Sequence, residues 1–336
     1  MEDMNEHIEE GGPIIPNYTA HDIMPIRDKI KEIIDECSKV VIGQRSLVEL
    51  MVTCILSEGH ILLEGVPGVA KTLTAKVLAK TINSGFSRIQ FTPDLMPADI
   101  IGTSIFNMKE SEFVFKKGPI FSNVILIDEI NRAPAKTQSA LFEVMEEKQI
   151  SFDGVTYQME HPFIVIATQN PIEHEGTYRL PEAQLDRFLM KINLGYLNAN
   201  QEVEILKRFK NKIGKTDLSM ITPKIDGQFI KESKRILEVL HVEDQILNYI
   251  VKIVQETREH GKIYLGASPR ASLGILNASK VTAVIAGRDF ITPEDIQFVA
   301  PHVLNHRLIL TPDAEMEGMN SVDIINDILK VIEVPR

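Results

Sequence analysis

The stretch Gly65-Val66-Pro67-Gly68-Val69-Ala70-Lys71-Thr72 combines small residues, a lysine and a hydroxyl in an order suited to holding nucleotide phosphates. The apolar run Ile61-Leu62-Leu63 before it reads as a buried strand, and Leu73 to Ile82 after it reads as a helix. That is the setting in which the pattern G-x-x-x-x-G-K-[ST] carries meaning. There, successive backbone N–H groups curl around a β-phosphate, and the positive end of the next helix points at it. Lys71 would reach the β- and γ-phosphates and the Thr72 hydroxyl would ligate Mg2+, so the nucleotide-binding set runs from Gly65 to Leu73. Ala70 stands where the pattern has glycine, which predicts a right-handed helix start at this position, since alanine accepts that conformation and resists a positive φ.

A second constellation is Val124-Ile125-Leu126-Ile127-Asp128-Glu129. A buried strand would deliver both acids to its carboxyl end, where open α/β sheets bind ligands. Asp128 could then hold the Mg2+ shell while Glu129 orients and activates a water, the two tasks that phosphoryl transfer requires. A third is Ile164-Val165-Ile166-Ala167-Thr168-Gln169-Asn170-Pro171, an apolar strand ending in amides. Asn170 could hydrogen-bond the γ-phosphate or the water beside Glu129; equally, Asn-Pro could simply end the strand in a turn. Two arginines, Arg187 in Leu185-Asp186-Arg187-Phe188 and Arg270 in Ser268-Pro269-Arg270, either complete the set or serve as ion-paired surface residues.

The elements that must position these residues are legible from periodicity. Ile26, Ile30, Ile33 and Ile34 mark an entering helix over Ile23–Ser38, and a second helix covers roughly Arg45–Ser57. Ser87–Phe91, Asn123–Asp128, Phe163–Ala167 and Lys191–Leu194 read as strands, with a helix over Ala133–Glu147. Hairpins are expected over Ser104–Phe115 and over Gln149–Gln158, the latter turning at Asp153-Gly154. Strands alternating with helices imply an α/β fold with a mostly parallel sheet flanked by helices. Beyond about residue 200 the segments Gln201–Lys212, Ile230–Val239, Glu243–Glu259, Arg270–Ala286 and Pro293–Asn305 are all helical in pattern. The expected organisation is a lead-in over 1–20, an α/β nucleotide-binding domain over 21–200 carrying both hairpins as inserts, and an all-helical domain over 201–336.

At 336 residues the chain exceeds the usual size of a single core. Its 44% hydrophobic and 25% charged residues are those of a globular protein. No apolar run approaches the ~18 residues needed to cross a bilayer, and the acidic start Met1-Glu2-Asp3-Met4 lacks the features of a signal peptide. A cytoplasmic location without membrane insertion is the default expectation. Cys37 and Cys54 show neither metal spacing nor a disulfide framework. A net charge of −11 and the absence of tryptophan argue against a general nucleic-acid binder. His302 and His306 have a zinc-compatible i, i+4 spacing, but no third ligand is near in sequence, so a polar face of the helical domain is the expectation.

In the order phosphate loop, acid pair, polar strand end, arginine, helical lid, arginine, the chain resembles the AAA+ ATPases, and within them the MoxR family of the helix-2-insert clade. The resemblance is carried by Glu64–Thr72, Arg88-Ile89-Gln90-Phe91-Thr92-Pro93-Asp94-Leu95, Ile127–Gln138, Ala167–Pro171, Leu180–Phe188 and Gly266-Ala267-Ser268-Pro269-Arg270. It extends from about residue 40 to 310, and alanine at position 70 is typical of that family. It implies that Asn170 is sensor 1, that Arg270 is sensor 2 reaching the γ-phosphate from the lid of its own subunit, and that Arg187 is an arginine finger for a neighbour's site. Val41, Ile42, Gly43 and Gln44 would line the adenine pocket, and the two hairpins would be the helix-2 and pre-sensor-1 inserts. Arg132 is implied as either an interface sensor or an ion pair, and Arg179 as a weaker competitor for the finger.

The activity so implied is Mg2+-dependent hydrolysis of ATP by a homo-oligomeric, hexameric ring that remodels or activates a client protein together with a von Willebrand factor A-domain partner. Two rivals share the architecture. One is a chelatase-type ATPase subunit for metal insertion. The other is a nucleic-acid motor, implied because the same two inserts occur in replicative helicase-type AAA+ proteins and here carry Lys109, Lys116, Lys117 and Lys148.

Overall fold

The computed structural model describes residues 20–66, 68–170, 178–210 and 218–335. Pro67 of the phosphate loop, Pro171 after the polar strand end, and the expected lead-in up to residue 19 lie outside the described residues.

Helices α1 (Ala20–Ser38) and α2 (Arg45–Leu56) lead to strand β1 (His60–Gly65), helix α3 (Lys71–Thr81) and strand β2 (Phe86–Gln90). A short α4 (Pro97–Ile101) opens the first insert, β3 (Gly102–Asn107) and β4 (Glu112–Lys117), which is longer at both ends than its sequence suggests. Then come β5 (Val124–Asp128), α5 (Ala135–Glu147), the second insert β6 (Gln149–Phe152) and β7 (Val155–Gln158), and β8 (Ile164–Gln169). A single turn α6 (Glu182–Leu185) precedes β9 (Phe188–Leu194), which begins before the expected Lys191.

Strands β2-β5-β8-β1-β9 form one sheet in that order, all pairs parallel. Its central strands β1, β8 and β5 carry apolar runs because both faces are covered, and side chains alternate between two cores as a period of two requires. Ile61, Leu63, Val124, Leu126, Ile164 and Ile166 face α1, α2 and α3. Leu62, Ile125, Ile127, Val165 and Ala167 face the side of α5. The order also explains where a ligand belongs. β1 sits between β8 and β9, so the chain leaves it in one direction and returns on its other side, and the carboxyl end of such a switch strand opens into a crevice.

The second half comprises α7 (Ala199–Phe209), α8 (Gly227–Glu238), α9 (Asp244–Glu259), β10 (Ile263–Leu265), α10 (Pro269–Ile285), α11 (Pro293–Leu304), β11 (Ile309–Leu310), α12 (Pro312–Met316) and α13 (Ser321–Val331). Among its described residues it departs from helix in an antiparallel ribbon of β10 with β11 and in a bridge between His241 and Phe290, so the all-helical expectation needs that correction. Strands of three and two residues are too short to leave a periodic signal. Helix α7 crosses the expected boundary at residue 200, capped by reciprocal bonds between Asn198 and Gln201. The lid shares the first sheet core: Ile253, Ala271, Ile275, Val299 and Val303 join the same buried cluster as α1 and β1.

The two inserts form one unit. Phe115 of β4 stacks on Phe152 of β6 at 4.5 Å and lies 5.0 Å from Tyr157 of β7. Ser104 donates to Asp153 at 3.0 Å, across the turn where Asp153 and Gly154 both have positive φ. That pair of conformations is the two-residue hairpin turn that Asp-Gly favours.

Candidate active site

The phosphate loop follows β1 and opens α3. Gly68 has φ +90°, and an added Cβ would meet no atom within 4 Å, so glycine serves the backbone conformation and leaves the loop open to a ligand. At Gly65 a Cβ would stand 2.6 Å from the Leu194 carbonyl oxygen, so a side chain is excluded by β9. Val69 is buried, whereas Val66, Ala70, Thr72 and Leu73 are partly exposed. Ala70 itself overturns the expectation drawn from its identity: its φ of +60° and ψ of 19° are left-handed. The loop therefore keeps the conformation that glycine normally supplies, at a strain of about 1 kcal/mol for a β-carbon. The Ala70 carbonyl accepts from both the backbone N–H and the hydroxyl of Thr74, at 2.9 and 3.0 Å, which holds it there.

Lys71 Nζ donates to the Gly65 carbonyl at 2.7 Å and so curls over its own loop. Burial pushes its pKa down, against the opposing pull of Asp128, Glu129 and Glu64, which places the ammonium in the field of both acids. Asp128 ends β5 in a buried position. Its Oδ2 accepts from Arg88 Nε at 2.6 Å and its Oδ1 from the Thr168 hydroxyl at 3.3 Å. Glu129 follows with φ +58°, a left-handed residue whose N–H donates to Thr168 Oγ1 at 3.0 Å. Its carboxylate accepts from Gln90 Nε2 at 3.0 Å and pairs with Arg132 Nε at 3.0 Å. Asn170 is buried just past the end of β8, the strand beside β5.

Val41 and Ile42 are buried beside the loop, Gly43 turns with φ +71°, and Gln44 donates to the Val69 carbonyl at 3.1 Å. The Gln44 Oε1 is buried without a hydrogen-bond partner among the described residues, an acceptor left over for an amino group such as that of adenine. The Thr72 hydroxyl and the Asp128 carboxylate are hard oxygen donors of the kind Mg2+ takes. The residues present thus fit a magnesium nucleotide.

Arg187 and Arg270 are elsewhere. Arg187 precedes Phe188, which pairs with His60 at the start of β1, whereas the phosphate loop follows the end of β1. At about 3.3 Å per residue, β1 alone separates the two ends by about 17 Å. Arg187 donates to the Phe142 carbonyl and lies 3.7 Å from Glu146 Oε2. Arg270 Nη2 donates to Glu146 Oε1 at 2.9 Å, and its Nη1 lies 3.7 Å from Asp186. Arg270, expected at the γ-phosphate of its own subunit, stands instead with Glu146 and Asp186 at the end of the sheet away from the phosphate loop. There it shares a carboxylate with Arg187. Arg179 is largely exposed and pairs with Glu182 at 3.5 Å.

The expected polar lid face fails at His306, whereas His302 is partly exposed. His306 is buried, with Nε2 2.9 Å from the Phe188 carbonyl and Nδ1 3.1 Å from Asn305 Oδ1. Cys37 and Cys54 are free and buried. Sequence reasoning missed Arg88, Gln90, Thr168, Glu146 and Asp186 as site residues. Arg88 and Gln90 stood in one of the blocks that carry the family resemblance, but nothing in the sequence marked them as partners of the acids.

A phosphate loop at the switch strand of a five-stranded parallel sheet, an acid pair on the next strand but one, and a helical lid define an ATP-hydrolysing P-loop core. Comparison with known proteins agrees. The family described as "ATPase family associated with various cellular activities (AAA)" matches residues 60–190, and the AAA lid domain matches residues 255–328. Chaperone MoxR1 of Mycobacterium tuberculosis is 45% identical over 321 residues, 91% of this chain and 82% of its own. Uncharacterized protein YeaC of Bacillus subtilis is 45% identical over 94% of this chain and 96% of its own. A crystal structure described as that of an ATPase from Cytophaga hutchinsonii superimposes with a TM-score of 0.86 at 44% identity, covering 94% of this chain and 97% of that one. The chain belongs to the MoxR family of AAA+ ATPases. Among the described residues no helix is long and apolar enough to cross a membrane.

Proposed function

We propose that the chain hydrolyses ATP as one subunit of a homo-oligomeric, hexameric ring, with Arg187 and Arg270 both serving the site of a neighbour. The observation that carries this reading is the sharing of Glu146 by the two arginines at the end of the sheet away from Lys71. A chain so folded has a phosphate loop and acids without a cationic group for the γ-phosphate from either arginine. A head-to-tail ring supplies both, because it sets the arginine face of one subunit on the Lys71 face of the next.

In such a site the loop N–H groups from Gly65 to Thr72 cradle the phosphates, and Lys71 leaves the Gly65 carbonyl for the β- and γ-oxygens. Thr72 and Asp128 would hold Mg2+, which when bound neutralises charge on the phosphate oxygens. Glu129 orients the attacking water, with Asn170 beside it. Gln44 reads the base edge through its spare oxygen. Because Arg270 rides on α10 of the lid and Arg187 on the sheet, release of phosphate at the interface would let one subunit rotate against the next.

The work done is remodelling or activation of a client protein, as expected from relatives named as chaperones, with an A-domain protein as partner. The inserts support a protein client rather than a nucleic acid: Phe106, Met108 and Phe113 are exposed at the tip of the first hairpin, where apolar contact rather than phosphate neutralisation would operate. The test is specific ATPase activity across protein concentration, with oligomers followed by light scattering. Activity rising steeply as rings form supports the shared site; flat activity at monomer concentrations overturns it.

A further inference from the structure

Strand β2 does more than fill the edge of the sheet. Its residues Arg88 and Gln90 lie two apart, hence on one face, and β2 runs parallel to β5 with Gln90 opposite Asp128 and Arg88 opposite Leu126. Leu126 belongs to the core on the α3 side, so this is the face turned toward the phosphate loop. From a position two residues back, Arg88 extends along the sheet and places Nε 2.6 Å from Asp128 Oδ2. The other carboxylate oxygen is taken by the Thr168 hydroxyl at 3.3 Å. The nearer lysine is not a competitor, because Lys71 donates to Gly65 instead.

We propose that Arg88 is the resident cation of the metal site: its guanidinium is bonded to Asp128, and Mg2+ arriving with the nucleotide must displace it. The inference deepens the reading of Asp128 as a metal-holding residue and rests on that reading. Mg2+ and its water shell demand near-ideal octahedral geometry around short contacts. A guanidinium nitrogen hydrogen-bonded to the same carboxylate oxygen blocks that approach, and its charge repels the incoming ion. Displacement is feasible because the Arg88 side chain is 49% exposed and can swing into solvent, whereas Asp128 is fixed at 11% exposure. The arrangement has a function before any metal binds. Asp128 and Glu129 are adjacent carboxylates on a buried strand end, and Arg88 supplies one of the counter-charges they need until a nucleotide brings the metal. The exchange also imposes an order, with metal held at Asp128 only once a phosphate-bound ion outcompetes the arginine.

The experiment is a Mg2+ titration of the full chain with a fluorescent, non-hydrolysable ATP analogue, beside the affinity for the same analogue in EDTA. In Arg88→Met the Mg2+ concentration at half-effect should fall roughly tenfold, a shift of about 1.4 kcal/mol, with the EDTA affinity kept within about twofold. Arg88→Lys keeps a charge but loses the planar fork, and its half-point should fall between the two; it also carries the test if the methionine variant melts early by circular dichroism. A half-point unchanged or raised in both variants overturns the inference, making Arg88 a bystander or a group that orients Asp128 for the metal. A large loss of EDTA affinity overturns it differently, making Arg88 a phosphate ligand. Failure of the unsubstituted chain to bind the analogue at all would instead remove the nucleotide site on which the inference stands.

Discussion

Mixing two inactive variants tests the placement of Arg187 most directly. Arg187→Ala leaves the phosphate loop intact, and Lys71→Ala leaves the arginine face intact. Within one chain the two positions lie at opposite ends of β1, about 17 Å apart along the strand, and Arg187 is engaged with Phe142 and Glu146 on α5. An arginine side chain cannot span that separation, so each variant alone should lose most of its turnover, roughly 10³-fold or more for an arginine finger. In a ring assembled from equal amounts of both, a working interface needs an Arg187→Ala chain presenting Lys71 to a Lys71→Ala chain presenting Arg187. Random assembly gives that arrangement at about one interface in four, so the mixture should regain about a quarter of the unsubstituted rate. The assay is steady-state phosphate release after the variants are dissociated, mixed and reassembled, with ring content checked by light scattering. Regain well below this level in fully assembled mixtures would refute the argument, since it would mean that Arg187 acts within its own chain or not at all. The same experiment with Arg270→Ala asks whether the second arginine that shares Glu146 also works across the interface.

Three further outcomes follow from the geometry. Glu129→Gln should bind the analogue normally yet lose roughly 10²–10⁴ in single-turnover hydrolysis; an unaltered rate would remove Glu129 from water activation. Ala70→Gly should stabilise the fold by up to about 1 kcal/mol in denaturant melts by relieving the left-handed alanine; destabilisation would show that position 70 is right-handed in solution. His60 is buried and held neutral, its Nδ1 accepting from the Val165 N–H at 3.0 Å and its Nε2 donating to the Met145 carbonyl at 3.2 Å, and burial pushes its pKa down to about 4. Between pH 6.5 and 4 the unfolded chain therefore binds the extra proton, so the contribution is fully present above about 6.5 and falls as pH drops. It reaches a loss of about 3 kcal/mol near pH 4. His60→Asn should flatten that part of the pH–stability curve, and parallel curves for the two proteins would contradict the assignment.

Much of this site was readable before any fold was known, because its chemistry is contiguous. The phosphate loop, the acids at the end of Val124–Asp128 and the Asp153-Gly154 turn are each local patterns whose meaning depends on a few neighbours. What escaped was conformational or long-range. Alanine at 70 argued for a right-handed residue on intrinsic preference, but the hydrogen bonds from Thr74 to its carbonyl and the demands of the loop override a preference worth about 1 kcal/mol. His306 looked like an exposed helical histidine because the strand it caps, β9, lies over a hundred residues earlier. The β10–β11 ribbon went unseen for the same reason, each half being too short to declare itself without the other.

The amino-acid sequence by itself determined which groups would meet the phosphates, since backbone curl, lysine and hydroxyl follow one another within a single turn of chain. It also determined that the sheet would be parallel and covered on both faces at its centre, since Ile61–Leu63, Val124–Ile127 and Ile164–Ala167 are unbroken apolar runs. Tertiary structure alone decided which cations stand beside which acids. Arg88 meets Asp128 because β2 pairs with β5 in one register, and Arg270 meets Glu146 because the lid shares its core with the sheet. Both depend on how distant segments bury their apolar faces together, and a one-residue slip in the pairing of β2 would turn Arg88 to the other face of the sheet.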